Sequence, residues 1–247
     1  MSDETPAGTA VIIPAMNEAE RIGATVRAAR DLPGVDLVLV VDDGSSDATS
    51  IIAAEAGADV VRHARNRGKA AAMETGAESV RLLDTRDGVR PRHLLFLDAD
   101  LADTAREAAP LITPVAAGEA DMTIAVFSST VKLGGHGIVV RLSRDGIRRA
   151  TGFAATQPLN GQRCLTRAAF EAARPLAHGF GVETALTIDL LNRGFRIKEV
   201  EVPLAHRATG TDLRAQLHRA RQFRDVARAL ATRDPVVRDR VARLRPR

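Results

Sequence analysis

Leu37-Val38-Leu39-Val40-Val41 runs directly into Asp42-Asp43-Gly44-Ser45-Ser46-Asp47, and this junction decides the architecture. Five apolar residues without polar alternation read as a strand covered on both faces, the pattern of a parallel sheet flanked by helices. The polar turn after it ends in Asp47, which is placed to cap a following helix. The same grammar recurs upstream, where Ala10–Pro14 (AVIIP) is a strand and a helical pattern opens at Asn17 or Glu18, runs through Ile22, Val26 and Ala29, and stops before Pro33-Gly34. Downstream, Ala58–Val61 is a short strand, Arg65–Lys69 leads into an Ala-rich helix toward Leu83, and His93–Leu97 (HLLFL) ends at Asp98-Ala99-Asp100. This alternation predicts an α/β fold, Rossmann-like, with a mostly parallel sheet flanked by helices.

The second half is less regular. Asp121–Phe127 reads as a strand, Lys132–Gly137 as a Gly-rich loop, Ile138–Ala150 as a helix, Gln157–Gly161 as a turn and Gln162–Leu165 as a short strand. Val182–Asn192 has helical periodicity, and Phe195–Val202 (FRIKEVEV) alternates as a half-solvated strand does before Pro203 ends it. Leu213, Leu217, Phe223, Val226 and Leu230 form one stripe of an amphipathic, Arg-rich helix. Arg233-Asp234-Pro235 breaks it.

Composition narrows the function. With 45% apolar and 27% charged residues over 247 positions, the chain has ordinary globular composition. No apolar run approaches the ~20 residues that span a bilayer, and Met1–Gly8 resembles neither a signal nor a transit peptide, so a cytoplasmic protein is expected. The single cysteine, Cys164, excludes an internal disulfide and a multi-thiolate zinc site. No Trp and no Tyr are present, which argues against a single-strand nucleic-acid binder. The net charge of +4 is uneven: twelve Arg against four Asp from His206 to Arg247 give a local +8, leaving −4 for residues 1–205. A basic tail suits an anionic partner, and equally a solvated Arg-rich helix.

In open α/β sheets ligands bind beyond the carboxyl ends of the strands. Acidic clusters fall at three such ends: Asn17-Glu18, Asp42-Asp43 and Asp98-Asp100. Gathered carboxylates repel unless a cation joins them, and a divalent metal holding a phosphorylated ligand meets that need. In Asp98-Ala99-Asp100 the alternate carboxylates can face one ion, an oxygen set suited to Mg2+ or Mn2+, although D-x-D also serves as an ordinary capped turn. Asp42–Asp47 can present a carboxylate to a nucleobase N–H or simply make a turn. No G-x-G-x-x-G follows the first strand and no Walker loop occurs, which argues against nicotinamide chemistry and P-loop ATP hydrolysis.

Taken in order, Pro14–Glu18, Val40–Asp47, Asn66-Arg67-Gly68-Lys69, Leu97–Asp100, Asn160-Gly161-Gln162-Arg163, Glu183 and Glu199–Gly210 resemble family 2 glycosyltransferases of the GT-A fold, near the polyprenyl-phosphate sugar synthases and the glucosyl-3-phosphoglycerate synthases. The resemblance spans roughly Thr9 to Leu230. It implies a GT-A domain over 9–232 with a nucleotide-sugar half (9–127), a smaller acceptor-side half (128–210) and a basic helix (211–232), between a disordered N-terminus (1–8) and a basic tail (233–247). Pro14, Met16 and Glu18 are then expected to line the nucleotide pocket, Val41 and Asp43 to hold the base, and Asp98 and Ala99 to touch the nucleoside diphosphate. Met16 stands where the motif usually has Tyr. Asp100 is the implied metal ligand and catalytic group, with Asp98 and His206 as further ligands. Arg207, Lys69 and Lys132 are candidates to neutralise the diphosphate, and Glu183 is the candidate base or, equally, a first-turn acid favoured by the helix dipole.

The expected activity is metal-dependent, inverting sugar transfer from a UDP- or GDP-sugar to a phosphorylated small molecule or a polyprenyl phosphate, with Mg2+ or Mn2+ as cofactor. A sugar-phosphate nucleotidyltransferase is the alternative enzyme, but Pro14–Arg21 offers no Gly-rich loop with the required Arg and Lys. A non-enzymatic basic module leaves the acidic clusters unexplained. Peripheral contact of the basic helix with an anionic membrane, at its inner face, and a homodimer complete the expected partners, with no nucleic acid.

Overall fold

Val38, Leu39, Val40 and Val41 are all buried in the second strand, and their side chains divide between the two faces of one sheet. The computed structural model describes residues 7–127, 137–203 and 213–233, with the backbone alone for 213–219. Seven strands form the sheet: β1 (Thr9–Ala15), β2 (Val35–Asp42), β3 (Asp59–Arg62), β4 (His93–Phe96), β5 (Met122–Phe127), β6 (Arg163–Leu165) and β7 (Ile197–Val202). Their order is β3-β2-β1-β4-β6-β5-β7, with β6 alone antiparallel to its neighbours. The expected mostly parallel α/β sheet is therefore present.

The helices are α1 (Ile22–Arg30), α2 (Thr49–Glu55), α3 (Lys69–Asp87), α4 (Ala109–Ala116), α5 (Ile138–Thr151), α6 (Arg167–Ala173), α7 (Val182–Asn192) and α8 (Leu213–Ala231). Val11, Ile13, Val38 and Val40 face α1 and the Leu101–Val115 region, while Ala10, Ile12, Leu39 and Val41 face α3, α6 and α7. Each fully buried aliphatic side chain of this kind contributes about 1.5–3 kcal/mol relative to exposure, so β1 and β2 anchor both layers. A smaller cluster joins Ile147, Ala155 and Ile188, with Leu230 of α8 packed against it.

Several expectations need correction. The first helix begins at Ile22 rather than at Asn17 or Glu18, because Asn17 takes a left-handed φ of 55° and Glu18–Arg21 forms a turn closed by its own carbonyl. Asp47 is not the residue flanking α2, yet its Oδ1 accepts the Thr49 N–H at 3.0 Å and caps that end from two residues back. Phe223 of α8 is 44% exposed and lies off the buried stripe that holds Val226 and Ala229. The short α4, α6 and the 3-10 turn Ala102–Ala108 gave no periodic signal over their length. Leu213 and Leu217 fall where side chains are not described.

Topology places the functional edge. β1 to β4 run parallel, and the chain reverses its direction of growth between β1 and β4, so the crevice beyond their carboxyl ends is the ligand position of the fold. β6 runs antiparallel to β4 with Arg163 opposite Phe96, which brings Asn160–Gln162 to that same edge.

Candidate active site

Three loops are stitched together at this edge by short polar side chains. Asn17 N–H donates to Ser45 Oγ at 2.9 Å, and Ser46 N–H donates back to Asn17 Oδ1 at 2.9 Å. Glu18 N–H donates to Thr49 Oγ1 at 2.9 Å and Ala19 N–H to Asp47 Oδ2 at 3.2 Å. Gly44 takes a φ of +82°, and a Cβ there would lie 2.7 Å from the Arg65 carbonyl carbon and 2.8 Å from the Asn66 nitrogen. Neither the conformation nor the space admits a side chain. Gly44→Ala is expected to cost at least about 2 kcal/mol in denaturant unfolding, the sum of a left-handed penalty and a backbone clash.

Asp42 and Asp43 divide their tasks. Asp42 is fully buried, accepts the Ser45 N–H at 2.8 Å and a Ser50 hydroxyl bond, and lies 3.6 Å from Arg62 Nε. Burial pushes its carboxyl upward, but those serine bonds and Arg62 outweigh it and hold the group below the usual carboxylate range. Asp43 accepts from the N–H groups of Arg67 (2.8 Å) and Gly68 (2.7 Å) and meets His63 Nδ1 at 2.7 Å. His63 Nε2 in turn meets Thr75 Oγ1 at 2.9 Å. A carboxylate has about four acceptor positions, and three of those of Asp43 are used in fixing the start of α3.

Lys69, the first residue of α3, is the centre of a second cluster. Its Nζ lies 2.9 Å from Asp98 Oδ1 and 3.1 Å from Glu183 Oε1. Gln162 Nε2 donates to Asp98 Oδ2 at 2.7 Å. Burial alone would depress the ammonium, but the adjacent carboxylates of Asp98 and Glu183 prevail and raise Lys69 above its ordinary value. Gly161 makes room for this pair, since a Cβ on it would lie 2.4 Å from Lys69 Nζ. Thr25 of α1 supports the Asp98–Asp100 loop from below, donating to the Ala99 carbonyl at 2.9 Å and accepting the Ala102 N–H at 2.8 Å.

Thus the acidic groups do not all gather at one point. Asp42 and Asp43 are held by hydroxyls, backbone N–H groups, Arg62 and His63, whereas Asp98 and Glu183 share Lys69. Val41 is fully buried in the α3-side core, which leaves only its backbone to the crevice. Pro14 pairs with Val41 near the end of β1, and Met16, just beyond it, is 42% exposed with Asn66 Nδ2 2.6 Å from its sulfur. Glu18 sits 3.9 Å from Arg21. Asp100 is partly buried on the loop after β4. Lys132, His206 and Arg207 lie outside the described residues.

Reasoning from sequence did not single out His63, Gly161 or Gln162 for these roles. A lone histidine one residue past a strand carries no spacing signal, and the Asn160–Arg163 motif gives Gly161 and Gln162 no partner until the strand order is known.

Among the described residues no three His, Cys, Asp or Glu side chains group to hold a metal by themselves. Mg2+ is commonly held by one or two carboxylates with phosphate and water oxygens completing the shell, and the all-oxygen pair Asp98 and Asp100 fits a hard cation of that kind.

Fold and site together define an α/β protein whose polar loops lie beyond the carboxyl ends of β1, β2 and β4. The chain belongs to glycosyl transferase family 2, whose family model matches residues 10–156. It is similar to glycosyltransferase AglJ of Haloferax volcanii, 31% identical over 215 residues, covering 84% of this chain and 66% of the relative. It is also 29% identical over 199 residues to glucosyl-3-phosphoglycerate synthase of Mycolicibacterium smegmatis, covering 74% of this chain and 64% of the relative. The chain thus spans about two thirds of the length of these relatives. The crystal structure of glucosyl-3-phosphoglycerate synthase from Mycobacterium tuberculosis with Mn2+, UDP and glucosyl-3-phosphoglycerate superposes with a TM-score of 0.70 at 27% identity, covering 92% of this chain and 80% of that one. Among the described residues no helix is long and apolar enough to cross a membrane.

Proposed function

We propose that this protein transfers a sugar, with inversion, from a nucleoside diphosphate sugar to a hydroxyl of a phosphorylated acceptor. The observation that carries the reading is Lys69 held between Asp98 and Glu183, which joins the loop after β4 to the first turn of α7. UDP is the better-supported donor nucleotide, because the similar mycobacterial enzyme binds UDP with Mn2+. GDP, and a polyprenyl phosphate as acceptor, are the second choices at the same site.

In this reading Pro14, Met16, Glu18 and the backbone at Val41 border the nucleoside, and Asp43 accepts a base N–H with its remaining lone pair. Asp98 and Ala99 lie along the diphosphate. Asp100 and Asp98, with His206, would hold Mg2+ or Mn2+, which when bound supplies Lewis-acid stabilisation of the departing diphosphate. Lys69 adds positive charge at that place, and Arg207 and Lys132 are assigned the same role from sequence. Glu183, buried beside Lys69, takes the proton of the acceptor hydroxyl as the new bond forms at the sugar's anomeric carbon. The electrons of the broken bond leave on the diphosphate.

A thermal-shift panel of UDP- and GDP-sugars with and without Mn2+ tests this, using dye fluorescence because the chain has no Trp. A donor at about 100 times its Kd is expected to add roughly 2.7 kcal/mol of apparent stability in the presence of Mn2+. No shift with any sugar nucleotide contradicts the proposal.

A further inference from the structure

Arg163 is among the bulkiest side chains that the fold buries completely, with 1% exposure. Its guanidinium donates mainly to neutral oxygens. Nε donates to the Asn160 carbonyl at 2.8 Å and Nη2 to the Pro158 carbonyl at 3.0 Å, while Nη1 donates to the Glu183 carbonyl at 3.0 Å and to Thr187 Oγ1 at 2.9 Å. Thr187 Oγ1 also donates to that same Glu183 carbonyl at 3.0 Å. One planar group therefore ties the turn before β6 to the first turn of α7. Its neighbour Gln162 holds Asp98 from the same segment.

Burying a cation among carbonyl groups is costly, and filling the volume alone would not require one. Burial pushes the guanidinium down to about 10, with the charges of Glu183 and Glu199 acting in the opposite sense. What the arrangement accomplishes is geometric: the peptide of Glu183 is clamped from two sides, so its side chain leaves the helix from a fixed point.

We propose that Arg163 is a positioning residue for sugar transfer, fixing the backbone of Glu183 and through it the line from the carboxylate to the acceptor. This rests on Glu183 being the group that meets the acceptor. The bonds of the clamp go to Asn160, Pro158, Glu183 and Thr187 and to none of the loops after β1, β2 and β4, so its loss is expected to fall on the chemical step more than on donor affinity.

The test compares Arg163→Met, Arg163→Lys and wild type in steady-state kinetics from pH 6.5 to 9, with thermal unfolding to confirm folding. Arg163→Met is expected to lower kcat roughly 10- to 100-fold, the scale of a displaced catalytic group, with donor KM within about 2-fold. Arg163→Lys keeps a charge and some donors, and is expected to recover part of kcat at pH 6.5 and lose it as pH rises, because a buried lysine gives up its proton well below its usual range. A folded Arg163→Met with kcat within about 2-fold of wild type, or with donor KM rising in step with the loss of kcat, overturns the proposal. If Arg163→Met does not fold, the near-isosteric Thr187→Val removes one anchor, and a few-fold drop in kcat at unchanged donor KM is the expected result. Unchanged kcat in Thr187→Val overturns the proposal in that case. Wild-type protein that turns over no sugar nucleotide defeats the reading of Glu183, whereas active wild type with indifferent Arg163 variants defeats this inference alone.

Discussion

Asp100→Ala is expected to lower sugar-nucleotide turnover by about 10^2–10^3-fold or more, the scale on which removal of a group that stabilises developing charge is felt. The fold should survive. The loop carrying Asp100 is held by its backbone through Thr25, which bonds both the Ala99 carbonyl and the Ala102 N–H, and those contacts do not involve the Asp100 carboxylate. A substitution of this sort stays within about 0.5–1 kcal/mol of wild type, so thermal unfolding should move by no more than about 2–4 °C. Initial rates with and without added Mn2+ check the point. A variant that keeps more than a tenth of wild-type activity refutes the assignment of Asp100 to the leaving group and its metal.

Glu183→Gln is the second large effect, an expected fall in kcat of about 10^2–10^4-fold, the range for a general base. Glutamine keeps the shape and can still accept from Lys69, while Asp98 continues to neutralise the ammonium. Donor KM should therefore stay within about 3-fold. The comparison also reports on the acceptor. A hydroxyl must lose its proton as it attacks, whereas a phosphate oxygen is already anionic and asks no proton transfer of Glu183. If kcat stays within a few-fold of wild type, Glu183 only orients the acceptor and the acceptor atom is an oxyanion.

The parallel half of the fold was legible because its signals are local. AVIIP, LVLVV and HLLFL lack alternation, each precedes a polar turn, and the observed strands Thr9–Ala15, Val35–Asp42 and His93–Phe96 overlap them closely. Val182–Asn192 was legible to the residue because a mainly apolar run of helical length stops at Arg193-Gly194, although the helix is buried on nearly every side and shows no amphipathic period. Less legible was Asn17, whose left-handed backbone depends on Ser45 and Ser46 from another loop, so the start of the first helix was displaced by several residues. The side chains that complete the site were hidden for the same reason. Gln162 reaches Asp98 only because β6 is inserted antiparallel beside β4, and Lys69 meets Glu183 across 114 positions of chain. Residue type and spacing identified which carboxylates matter, but only the strand order shows which cation each of them faces.

The central proposal is that the loop after β4, the first turn of α7 and Lys69 at the start of α3 together seat a nucleoside diphosphate that binds jointly with a divalent ion. Calorimetric titration of UDP into the protein, with Mn2+ and with EDTA, addresses it directly. The expected result is UDP affinity at least about 10-fold higher with Mn2+, within the usual range of coupling between two ligands, and loss of that difference in Asp100→Ala. Equal UDP affinity in Mn2+ and EDTA, or a metal effect that survives in Asp100→Ala, would contradict it.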